Sequence, residues 1–165
     1  MKQLMLISLL FFLHACSNES KILNGLDISS NGNNKDFKNK EKYSELIPTQ
    51  NYIIAQEYKK QDNNSLYLEY LIKAAKAGDP IAQDSLAGEY AFGEILEKND
   101  EKFFYWAEKS ALSGYINAQV NLGMAYYSGS NGLKKDKDKA KKWFSLAADK
   151  GDEIAIMYLN KISSE

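Results

Sequence analysis

Three glycines, Gly78, Gly114 and Gly151, recur at spacings of 36 and 37 residues, and other positions keep step with them. Ala82, Ala118 and Ala155 each follow a glycine by four residues, and Leu86, Leu122 and Leu159 lie four further on. Tyr70, Trp106 and Trp143 each precede a glycine by eight, and each is followed by a small pair: Ala74-Ala75, Ser110-Ala111 and Ala147-Ala148. A period in this range marks one supersecondary unit that cannot bury its apolar face alone and does so by stacking on its neighbours. The chain is therefore expected to be a stacked solenoid, and the helix pattern of each unit described next makes it all-α, a short α-solenoid of antiparallel helical hairpins.

Each unit reads as two helices. In the first, the A helix, Ala118, Leu122 and Tyr126 repeat every four residues and Gly129 follows, where a left-handed residue ends a helix; Ala82, Leu86, Tyr90 and Gly93 do the same one unit earlier. The second, the B helix, opens at Asn99 or Asp136, both good N-caps, and runs through Trp106 or Trp143 to the glycine at 114 or 151. Asp79-Pro80 supplies a cap followed by proline in the first turn, which sets an A-helix start. Small residues at Ala75, Ala87, Ala111, Gly123 and Ala148 let helices approach closely, and the aromatics fill the spaces between layers. Full repeats are expected at about 82–117 and 118–154. Before them lies a degenerate hairpin, since Tyr58 precedes Tyr70 by 12 residues whereas Tyr90 precedes Trp106 by 16. After them Glu153 to Ile162 is a lone A helix. Both act as atypical caps over the apolar ends of the array.

The first 42 residues have a different character. Lys2 and the apolar run Leu4 to Leu13 lead to Cys16, the one cysteine, and the run is too short to span a bilayer, which takes roughly 20 residues. Leu13-His14-Ala15-Cys16 resembles a lipobox, which implies a signal peptide over 1–15, lipidation at Cys16 and a membrane attachment through the lipid. Ser17 follows, in place of the aspartate that implies inner-membrane retention, so the expected location is the outer membrane, facing the periplasm. Residues 16–42, rich in Asn, Ser, Gly and Lys, read as a flexible, disordered tether with a coil dimension of roughly 30 Å. The repeat domain is expected over 43–165.

The repeat pattern is similar to that of the Sel1-like repeat family, relatives of the tetratricopeptide repeats. The family's landmarks all stand in one unit: Ala118, Leu122-Gly123, Tyr126, Gly129, Asp136, Lys139-Ala140, Trp143-Phe144, Ala147-Ala148 and Gly151. The unit from Ala82 departs at Ala87, Asn99, Phe103 and Ser110, and the last A helix carries Asn160 where a glycine belongs. The resemblance implies a curved surface that binds proteins, with no common catalytic centre. In small lipoproteins of this kind it implies an immunity protein that neutralises a lipase effector of type VI secretion. The alternative is an envelope scaffold or adaptor. An enzymatic alternative, the β-lactam binding or hydrolysis linked to cysteine-rich relatives, lacks the cysteine pairs that join their helices.

Composition narrows the chemistry. The net charge is -1 and all 21 basic residues are lysines, so neither a basic field nor a guanidinium fork exists for nucleic acid. His14 is the one histidine and lies before the expected cleavage point, which removes His-based catalysis and metal binding from the mature chain. No cofactor or metal is expected, catalytic residues are not assigned, and the unbound protein is expected to be a monomer. Lys134 to Lys142, six lysines with two aspartates, read as a solvated loop and first helical turn. Of Phe103-Phe104-Tyr105-Trp106, at least two must face the core, because consecutive helical residues point in different directions. Partner contacts are expected between the core positions of the A helices, at Asp84 and Glu89 and, one unit later, at Asn121 and Tyr127.

Overall fold

The computed structural model describes residues 46–164. The expected signal peptide, the lipidation site Cys16 and the tether lie outside them. Among the described residues there are seven helices and no strand: α1 (Gln50–Lys60), α2 (Asn64–Lys76), α3 (Pro80–Phe92), α4 (Asp100–Leu112), α5 (Ile116–Ser128), α6 (Lys137–Ala148) and α7 (Glu153–Ser164). Each packs on its neighbours in sequence, and α5 also touches α7. This is the solenoid of hairpins that the period implies, with α1, α3, α5 and α7 as A helices.

The repeat glycines owe their spacing to the way B helices end. Gly78, Gly114 and Gly151 all have φ near +90° (96, 89 and 85°). Each donates its N–H to a carbonyl three residues back, while the next residue bonds five back: Gly78 to Ala75 and Asp79 to Ala74, Gly114 to Ala111 and Tyr115 to Ser110. The Schellman geometry needs a left-handed residue there, which only glycine adopts at little cost. The A helices end on Gly93 and Gly129, also left-handed. The loops that follow are pinned alike, by Asn99 N–H to the Tyr90 carbonyl and Asp136 N–H to that of Tyr126. Asn99 and Asp136 then cap α4 and α6 through their side chains. The α1–α2 loop is just 61–63, against 93–99 for α3–α4, which accounts for the shorter tyrosine spacing in the first hairpin.

Asp79 joins two hairpins at one point. Its Oδ1 accepts the N–H groups of Ile81 and Ala82 and so caps α3, while Oδ2 accepts the Thr49 N–H at 2.6 Å, just before α1. A second strut recurs: Gln83 and Gln119, both buried, donate from Nε2 to the carbonyls of Ala75 and Ala111 on the preceding B helix. Ser110, where the pattern prefers alanine, donates its hydroxyl to the Pro80 carbonyl at 2.6 Å.

The two full repeats fill their cores by different routes. A Cβ added at Gly123 would lie 2.6 Å from Cε1 of Phe144, a wholly buried ring stacked on Tyr158 at 4.8 Å. One unit earlier the corresponding positions hold Ala87 and Ala107, and the large ring moves a turn earlier to Phe103, a position that the next unit fills with the small Ala140. Ala87 in place of the usual glycine is thus matched by Ala107 in place of a phenylalanine. Phe103 is buried and Phe104 and Trp106 pack against the core, while Tyr105 is half exposed.

Candidate functional site

The A helices present one side of the array as a groove. Two cavities open on it. One, of about 240 Å³, lies between α1 and α3 and includes Tyr52, Gln56, Ser85, Gly88, Glu89 and Phe92. The other, of about 380 Å³, lies between α3 and α5, with Asp84, Asn121, Met124 and Asn131 in its lining. Ser85, Gly88 and Phe92 border both, so the cavities adjoin across the exposed face of α3. Nothing lies within 4 Å of a Cβ built on Gly88, and the Phe92 side chain at the end of α3 is 80% exposed. Tyr52 and Ser85 share a hydrogen bond across the first cavity at 3.1 Å.

Of the four residues expected to meet a partner, Asp84 and Asn121 come together, with Asn121 Nδ2 donating to Asp84 Oδ1 at 3.2 Å. Burial pushes the Asp84 carboxyl above the usual carboxylate range, opposed by the hydrogen bond from Asn121. A carboxyl with a raised native pKa holds its proton in the fold at pH values where the unfolded chain has lost it, so its contribution to stability falls as pH rises through that window.

Glu89 corrects the expectation of an exposed contact. It is 7% exposed and turned towards the first hairpin, where Oε1 accepts the Tyr67 hydroxyl at 2.7 Å and the Lys59 ammonium at 3.2 Å. Burial, followed by this bond to Glu89, holds the Tyr67 phenol far above its ordinary range, so it stays a donor. Glu89 turns inward because α1 and α2 bring a buried hydroxyl and a cation within reach, which no spacing in the sequence reveals. Tyr127 stands apart from both cavities. Its ring packs edge-on to Tyr158 at 5.3 Å, with the ammonium groups of Lys135 and Lys161 over it.

Gly88, Phe92 and Met124 escaped the sequence reading. Gly88 offered one signal, a glycine inside a helix beside the alanine that stands where the repeat glycine belongs; helix-interior glycine costs stability and needs a reason. Among the described residues no group of three or more His, Cys, Asp or Glu is placed to hold a metal ion.

The Sel1 repeat model matches residues 68–79, 80–115 and 116–152. The chain belongs to the Sel1 repeat family. The matched frame starts where α3 and α5 start, two residues before the first core alanine of each unit. Among solved structures, a Sel1 repeat protein from Oxalobacter formigenes is similar at 33% identity and TM-score 0.63, over 67% of this chain and 86% of that one. So is c5321, a protective antigen of uropathogenic Escherichia coli with the same repeat fold, at 28% identity and TM-score 0.63, over 68% of this chain and 25% of that one. Among curated proteins, the chitin synthase regulator SKT5 of Saccharomyces cerevisiae is 35% identical over 104 residues, 62% of this chain. HRD3A of Arabidopsis thaliana, a component of an ERAD-associated E3 ubiquitin-protein ligase, is 36% identical over 63 residues, 38% of this chain. The chain spans only 14% and 9% of the lengths of these two relatives. A Sel1-repeat array with a groove along its A helices is a protein-interaction module.

Proposed function

We propose that this Sel1-repeat protein is a lipid-anchored periplasmic binder, held at the outer membrane through Cys16, that neutralises a lipase effector by covering its active-site entrance. The observation that carries the reading is the groove across α1, α3 and α5, joined in one chain to a lipobox-like sequence at Cys16 and a long polar segment after it. A tethered domain is concentrated at the membrane surface where a lipase acts, so moderate affinity gives high occupancy. The module acts by binding, with no reaction of its own.

Two measurements test it. Mass spectrometry of the mature N-terminus is expected to find an acylated Cys16, and Cys16→Ser to release the protein or leave it unprocessed; an unmodified cysteine inside a longer N-terminus overturns the anchor. Deleting the gene is expected to sensitise cells to sister cells that deliver the toxin, and the protein to co-purify with a lipase. If deletion leaves competition unchanged and pull-downs recover only envelope-assembly proteins, the scaffold reading replaces immunity. That second reading draws support from the relatives, named as a regulator and as a ligase component.

A further inference from the structure

The two carboxylates on the groove side of α3 stand where the next repeat is apolar. With the period of 36, Asp84 corresponds to Val120 and Glu89 to Ala125, both buried parts of the core of the following unit. The same fold is thus built one unit later without either charge. Placing a carboxylate at such a position costs desolvation that its partners must offset. For Glu89 the offset is internal, from the Tyr67 hydroxyl and the Lys59 ammonium. Among the described residues Asp84 is met by the neutral amide of Asn121 and by no cation. A carboxylate can accept about four hydrogen bonds, and a neutral amide leaves the charge itself uncompensated.

The surroundings of Asp84 suit a positively charged group. It lines the 380 Å³ cavity, with Asn131 offering further polar atoms and Met124 an apolar wall for an aliphatic stem. Phe92 borders that cavity with its exposed ring, and a ring face attracts a cation as well as covering the stem that carries it. Gly88 leaves the floor between the cavities open, so a chain lying in the groove meets no side chain there. Among the groove residues the one cation is Lys59, which is held by Glu89 in the other cavity. Glu94, on the rim of that cavity, adds a further negative charge.

We propose that the groove takes a protein segment that presents a lysine or arginine, with the cationic head against Asp84 and the stem between Phe92 and Met124. The inference rests on the reading of the chain as a protein binder and names the chemistry of what it binds. It does not depend on the partner being a lipase. Asp84 then serves selection of the partner through charge complementarity rather than the packing of the free fold.

The test is selection of displayed random dodecapeptides on the purified full chain, followed by affinity measurement on the strongest binder. Lysine or arginine is expected at one position of the selected peptides, and replacing it by norleucine is expected to weaken binding at least about tenfold. Asp84→Asn is expected to cause the same loss while its melting temperature stays level or rises, and Gly88→Trp, which fills the groove without touching the core, to abolish binding. Selected peptides without a common basic residue, no enrichment above a blank surface, or unchanged affinity in Asp84→Asn would each overturn the proposal. A lipase recovered in pull-downs whose binding survives both variants would leave immunity standing and move its contact off the groove.

Discussion

Gly123 shows how one residue's absence of a side chain determines what its neighbours can be. Its Cα faces the buried ring of Phe144, and a Cβ would lie at 2.6 Å, where real Cβ atoms are not found. Phe144 is wholly buried and stacked on Tyr158, so displacing the ring disturbs that pair as well. Gly123→Leu is expected to destabilise the protein by about 1–3 kcal/mol or more, measured as a lower urea midpoint. The first repeat points to the rescue. Transferring its arrangement, with Ala140→Phe and Phe144→Ala together, is expected to make Gly123→Ala tolerable, because Ala87, Phe103 and Ala107 already pack that way. If Gly123→Ala is equally costly in both backgrounds, the volume exchange between the repeats is not what accommodates Ala87.

At the scale of elements, the last A helix does more than end the chain's helical pattern. Ala155 is fully buried, and Tyr158, Leu159 and Ile162 cover the cluster that contains Val120 and Phe144. Its N-terminus is capped by Asp152, whose Oδ1 accepts the Ala155 N–H. Ile156 occupies the position of Gln83 and Gln119 but has no amide with which to reach the carbonyl of the preceding B helix, so the strut found twice in the array is missing here. The outer side of α7 is correspondingly exposed at Ile154, Ile156 and Met157. Removing α7 by ending the chain at residue 152 is expected to cost about 3–5 kcal/mol, from the apolar side chains it leaves uncovered, and to raise binding of a hydrophobic dye. An unchanged urea midpoint in the truncated chain would show that the cluster closes without it.

Over the whole repeat domain, contacts run almost entirely between helices adjacent in sequence, so stability is close to a sum of hairpin terms and nearest-neighbour interfaces. Amide exchange is therefore expected to be fastest in α1 and α7, each of which lacks a sequence neighbour on one side, and slower in the inner helices, slowest in α4 at the middle of the array. Equal protection along the array would indicate a single cooperative unit. The sequence alone determined the hairpin architecture, the helix ends and their caps, because these depend on residues close together in the chain: the 36- and 37-residue period, glycine at left-handed positions, and Asp79, Asn99 and Asp136 ahead of helices. Tertiary structure decided which polar residues of an A helix are free to meet a partner. Asp84 and Glu89 are only five residues apart and looked alike in the sequence, yet Asp84 meets the neutral amide of Asn121 whereas Glu89 is buried against Tyr67 and Lys59. That difference arises from residues 22 and 30 positions away from Glu89, brought to it by the first hairpin, and the groove itself exists only once α1, α3 and α5 are stacked side by side.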